Sequence, residues 1–217
     1  MGHEVGTRVA SPAVPVDLTA LLDPAHAAVV TMELQRGVVG DLSPMRELAD
    51  AAAARNVIEH ATRVVRAART AGVRVVHCLA EHDESSPRNS PLLRALAKQG
   101  ANLPPGSDIA ALVPELGPEP SDLISGRRHG LTPFPGTDLD DILRAHGVKT
   151  VVAMGVSLNV GVAGLVMVAV DLGYEVVVVT DAVVGLPVEY GDEVLKHTIP
   201  ALATRASSDQ IVAVWTP

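Results

Sequence analysis

The stretch Asn159–Val183, NVGVAGLVMVAVDLGYEVVVVTDAV, carries a complete passage from helix to strand. Small and apolar residues fill nearly every turn as far as Leu172, so the helix predicted over Asn159–Leu172 is apolar on most of its faces and must be packed. Gly173 can take the left-handed conformation that ends a helix. Glu175–Thr180 (EVVVVT) follows as an unbroken β-branched run, the pattern of a strand buried on both faces. Upstream, Val148–Met154 predicts another strand, opening into the loop Gly155-Val156-Ser157, and Ala27–Met32 (AAVVTM) and Val73–Leu79 (VRVVHCL) predict two more. Leu48–Ala71 sets Val57, Ala61, Val64, Val65 and Ala68 at helical spacing and stops at Gly72. Leu139–His146 and Tyr190–Thr204 read as further helices, Gln210–Trp215 (QIVAVW) as a last strand, and Gly106–Asp122, rich in Pro and Gly, as loop. Alternating strands and helices imply an α/β fold with a mainly parallel central sheet and helices on both faces. We expect a tail over 1–17 and one domain over 18–217.

Composition excludes several classes of function. Of 217 residues, 47% are hydrophobic and 19% charged, enough apolar side chain for a large core. The formal charge is −8, with Lys and Arg scattered, and aromatics are 2% (Phe134, Tyr174, Tyr190, Trp215). Nucleic acid needs a dense basic face or stacking platforms, so it is not an expected partner. Cys78 is the only cysteine, which leaves no intrachain disulfide and fits a reducing compartment. Residues 1–15 contain no apolar core of a secretory signal, and the apolar stretches near 151–156 and 162–170 are too short to span a bilayer. A cytoplasmic protein that is not membrane-bound is the expectation.

In a parallel sheet of this kind, ligands bind beyond the carboxyl ends of the strands. That rule selects Glu33–Arg36, Glu81–Asp83, Gly155–Gly161 and the residues from Asp181 onward. A metal could be sought among His77, Glu81, His82 and Asp83, but while His77 and Glu81 share a strand face, no second histidine suits the following turn, so neither a metal nor any other cofactor is expected.

Three segments together resemble the isochorismatase-like hydrolases of the cysteine hydrolase superfamily: VVTMELQRG (Val29–Gly37), HGLTPFPGTDLDDILRAHGVKTVVAMGVS (His129–Ser157) and Asn159–Val183. The resemblance implies a three-layer α/β/α sandwich, usually oligomeric, in which an Asp, a Lys and a nucleophilic Cys act on a small amide. It also implies a cis peptide at Val156–Ser157, and a lid-like excursion over Ser85–Leu96. All three catalytic positions depart from the pattern. Glu33 stands for the Asp, Arg128 (or, with a shifted alignment, Arg127) for the Lys, and Gly161 for the Cys. The resemblance includes some isochorismatases with Gly at this position, which cleave a vinyl ether by acid catalysis.

Without a thiolate at Gly161, hydrolysis through a thioester is excluded, and the glycine is expected to leave a hole beside a helix N-terminus suited to anions. The reading that follows is a hydrolase without a cysteine nucleophile acting on a small, carboxylate-bearing molecule. Glu33 would be its acid/base, Arg128 its anion holder, and Gln35, His129, Phe134, Val156, Ser157 and Val160 would line the substrate site. The alternative is a catalytically inactive relative that binds a metabolite or serves as an oligomeric structural protein. In either case the partners are small molecules and further copies of the chain, as a homo-oligomer.

Overall fold

A computed structural model describes residues 16–216; the tail expected over 1–17 lies, up to residue 15, outside them. Six strands form one sheet: β1 (Ala27–Met32), β2 (Arg74–Ala80), β3 (Leu123–Arg127), β4 (Thr150–Val156), β5 (Glu175–Val184) and β6 (Thr204–Ala206). Their spatial order is β3-β2-β1-β4-β5-β6, and every pairing is parallel. Parallel strands need helical crossovers. Among the described residues these are α1 (Leu18–Leu21), α2 (Arg46–Ala54), α3 (Val57–Thr70), α4 (Pro91–Lys98), α5 (Leu139–Ala145), α6 (Ala163–Asp171), α7 (Val188–Glu193) and α8 (Ser208–Trp215). A π-helical turn, Leu158–Val162, runs directly into α6.

The chain leaves β1 toward β2 and leaves β4 toward β5, in opposite directions along the sheet. Right-handed crossovers then put α3 on one face and α6 on the other. α8 packs on α3, while Tyr174 donates to Asp140 at 2.7 Å and Arg144 to the Leu172 carbonyl at 3.0 Å, joining α5 to the end of α6. The result is the expected α/β/α sandwich. All six residues of β1 and all seven of β4 are buried, which explains why both read as continuous apolar runs. β1 and β4 are neighbours, so the point where the winding reverses lies between their carboxyl ends.

Three sequence expectations need correction, and one strand was not foreseen. Gln210–Trp215 is not a strand but most of α8. Ser207 and Gln210 form a capping box, Asp181 accepts from both the N–H (2.8 Å) and the hydroxyl (2.7 Å) of Ser208, and Ile211 and Trp215, four apart, face the core. Leu48–Ala71 is two helices, broken at Asn56 (φ 52°), a residue type that tolerates the left-handed region. Leu123–Arg127 (LISGR) is a strand that sequence periodicity did not reveal, because only Ser125 and Arg127 turn inward while Ile124 is exposed. The helix begun at Val188 gives way by Ala201, and Thr204–Ala206 joins the sheet edge.

Gly155 enables the closest backbone approach at the β1–β4 junction: its φ is 116°, and an added Cβ would run into the Met32 carbonyl oxygen. Gly155→Ala should therefore cost about 3 kcal/mol or more through strain and overpacking together. Urea unfolding of the purified variant measures this; a cost below ~1 kcal/mol would mean that the junction is looser than described.

Candidate active site

β1 ends at Met32, and the next residue, Glu33, turns out of the sheet with φ 53°. For a non-glycine residue that conformation costs roughly 1–2 kcal/mol. Neighbouring bonds hold it. The Glu33 N–H donates to the Cys78 carbonyl at 2.9 Å, and the Leu34 carbonyl accepts from the Val113 N–H at 3.0 Å. Gln35 is fully buried, its amide donating to the Ala80 (3.0 Å) and Ala110 (2.6 Å) carbonyls and accepting from the Ala80 N–H (2.8 Å). Gln35 therefore braces the turn rather than contacting a substrate, a correction to its assignment as a binding residue.

The carboxylate of Glu33 forms an ion pair with Arg127 Nη2. Arg127 is the last residue of β3, two strands from β1, and its in-register neighbour on β2 is Ala80. Strands lie about 4.8 Å apart, so a long side chain must cross a small one to make this contact. The guanidinium is further held by donation from Nε to the Gly130 carbonyl at 3.2 Å. Strand alternation sends the next side chain the other way, and Arg128 is exposed. Arg127, not Arg128, meets Glu33.

Gly161 lies in the π-helical turn after β4, and the Val156–Ser157 peptide before it is cis. The expected hole at Gly161 is partly filled. An ideal Cβ there would sit 2.9 Å from Met32 Cε and 3.1 Å from the Val156 carbonyl oxygen, so the Met32 thioether occupies the space a side chain would take. Asn159 does not cap the helix; it donates to the Leu186 carbonyl at 2.8 Å and accepts from the Leu186 N–H at 3.2 Å, tying this turn to the loop after β5.

Glu33, Arg127, Ser157, Val160 and Gly161 line one cavity of about 570 Å³ between the strand ends and α4. Besides Gln35, three expected substrate contacts are not among its lining residues. Phe134 is buried and stacks on Tyr174 at 6.4 Å, Val156 is buried in β4, and His129 is exposed. His82, which the sequence marked only as near the end of β2, is in the wall and is 6% exposed. Its backbone bridges to Leu103 through paired 3.0 Å bonds. Burial, then the positive charges of Arg88 and Arg127, hold its pKa below the ordinary histidine value. Cys78 is buried in β2 and burial pushes its thiol up to about 12, so it is inert.

His77 is used structurally. In register with Thr31 on β1, its Nδ1 lies 2.7 Å from Thr31 Oγ1 and its Nε2 3.3 Å from Asp122, which also accepts from Arg69 at 2.6 Å. Among the described residues, no group of three or more His, Cys, Asp or Glu is arranged to hold a metal, and no helix is long and apolar enough to cross a membrane.

The isochorismatase domain model matches residues 27–210. The chain belongs to the isochorismatase family. A ureidoacrylate amidohydrolase (RutB) of Rhizobium rhizogenes is 31% identical over 199 residues, covering 83% of this chain and 78% of that protein. An uncharacterized isochorismatase family protein of Bacillus subtilis, YwoC, is 31% identical over 115 residues, 52% of this chain and 60% of that protein. Among solved structures, an isochorismatase family protein of Burkholderia thailandensis aligns with a TM-score of 0.71 at 25% identity, over 89% of this chain and 97% of that one. The N-carbamoylsarcosine amidase of Thermoplasma acidophilum aligns with a TM-score of 0.68 at 25% identity, over 85% and 97% respectively.

Two outcomes follow from this geometry. Gly161→Ala should destabilise the protein by about 1–3 kcal/mol, and by clearly less in a Met32→Ala background, because the second change vacates the space the new methyl needs; a double-mutant cycle by urea melts reads the coupling. Separately, burial lowers the His77 pKa from its ordinary 6.5 against the opposing pull of Asp122. The unfolded chain then binds the proton more readily, so stability is full above about pH 6.5 and is lost as pH falls toward the folded value. His82 acts in the same direction. Urea midpoints should drop between pH 7.5 and 5.5, and drop less in His77→Gln.

Proposed function

We propose that this protein is a hydrolase that works without a thiol on a small, carboxylate-bearing molecule, with Glu33 as the acid/base. The observation carrying this reading is the Arg127–Glu33 pair, set in the wall of an apolar cavity beside Ser157 and Gly161. Substituting Glu for Asp and Arg for Lys keeps the charges of the family pattern, and the longer carboxylate still reaches its cation. Glu33 Oε1 takes the ion pair, which leaves Oε2 as the oxygen that would exchange a proton with substrate or water. Arg127 remains charged throughout and offers a planar fork. Its role is to hold an anionic group, not to shuttle protons. The first N–H groups of the turn, at Leu158 and Asn159, precede any helical acceptor and would stabilise a developing oxyanion. Ser157 has no histidine hydrogen-bonded to it and serves as wall rather than nucleophile. Exposed Met167 and Val170 on α6 support a homo-oligomer.

A turnover screen by mass spectrometry, wild type beside Glu33→Gln, tests the assignment. Enol-ether acids, small amides and ureides make up the panel. Glu33→Gln should lower kcat by about 10²–10⁴-fold on whichever substrate is turned over. Wild-type rates in Glu33→Gln would remove Glu33 from the chemistry. Tight binding of panel members without any turnover would favour the inactive, metabolite-binding alternative.

A further inference from the structure

The cavity has a polar inner end and apolar walls. Among the described residues, two buried side-chain nitrogens lack any hydrogen-bond partner, Arg127 Nη1 and His82 Nδ1. Both residues are at least nine-tenths buried, and both line this cavity. A buried guanidinium N–H without an acceptor is a cost that the folded protein alone does not recover. A ligand oxygen at that place would recover it. Glu33 already neutralises one side of the guanidinium through Nη2, which leaves Nη1 for one further acceptor, not for a cluster of anionic groups.

The remaining wall is of a different kind. α4 contributes Leu93 and Leu96, with half-exposed Leu92 toward the opening, and Leu103, Leu131 and Leu186 continue the surface. Ser90 accepts from the Leu93 N–H at 3.1 Å and so fixes the start of α4. Charged residues on this side, Arg46 and Glu47, are exposed. A short, wholly polar acid would fill a small part of about 570 Å³ and leave the leucines against water.

Building on the reading of Glu33 as acid/base, we propose that the site takes a monocarboxylic acid with an extended apolar body. Its carboxylate sits at Arg127 Nη1 and His82, and its body lies along the leucines of α4. His82 is then a specificity-determining residue. Because Glu33 shares the guanidinium with the bound carboxylate, the bond open to hydrolysis is one close to the carboxylate, and the apolar body lies beyond it.

Titration calorimetry at pH 7.5 with straight-chain monocarboxylates from butanoate to decanoate tests this without requiring turnover. Matched α,ω-dicarboxylates and primary alcohols are the controls. Affinity should rise about threefold to fourfold per added methylene until the cavity is filled. A second carboxylate at the far end, or loss of the first, should weaken binding at least tenfold. His82→Asn should weaken every chain length alike and keep the slope. Leu96→Gln, at a half-buried position, should flatten the slope, weakening decanoate more than butanoate. An affinity independent of length, a preference for dicarboxylates, or no carboxylate binding at all would overturn the proposal. The length series in wild type and kcat in Glu33→Gln fail separately. A steep series with full activity in Glu33→Gln removes the acid/base assignment alone, whereas a flat series with kcat lost removes the apolar-body proposal alone.

Discussion

Because β1 is buried on both faces and hydrogen-bonded along both edges, the chain leaving it has no water to satisfy its polar groups and must find every partner inside the protein. That constraint shapes the site. The Glu33 N–H goes to Cys78, the Leu34 carbonyl to Val113, and the Gln35 side chain supplies three more bonds to β2 and to the loop before Val113. Glu33 is left in a left-handed conformation that its neighbours impose, and its carboxylate emerges where the winding of the sheet reverses.

Around this fixed turn the neighbouring residues are mutually adjusted. Arg127 must cross β2, and Ala80 leaves it the room. Gly161 has no side chain, and the flexible thioether of Met32, the residue just before Glu33, occupies part of the space that one would take.

The architecture could be read from the chain because its signals are local and strong. Val176–Val179 and Val151–Ala153 can hardly be anything but doubly buried strands, and Gly72 and Gly173 mark helix ends. Site positions selected by that topology, Glu33 and Gly155–Gly161, could be read for the same reason. What escaped was set by partners distant in sequence. LISGR has no periodicity of its own, and without β3 the choice between Arg127 and Arg128 had no register to rest on. QIVAVW is β-branched enough to suggest a strand, but Asp181 and the Ser207 capping box decide for a helix. His82 was marked only by its place at the end of β2, because nothing nearby announces its pairing with Leu103. Gln35, Phe134 and Val156 lie in the right segments but face the interior, a distinction that only the packed fold makes.

Arg127 is delivered by an edge strand. β3 pairs with β2 alone, and its outer side carries the exposed Ile124. Edge strands open locally at lower free energy than the strands they flank. Fraying of these five residues would withdraw the guanidinium from Glu33 while β1, β4 and the core remain intact. Opening of that edge before the rest would remove the charge across the pocket while leaving the fold in place.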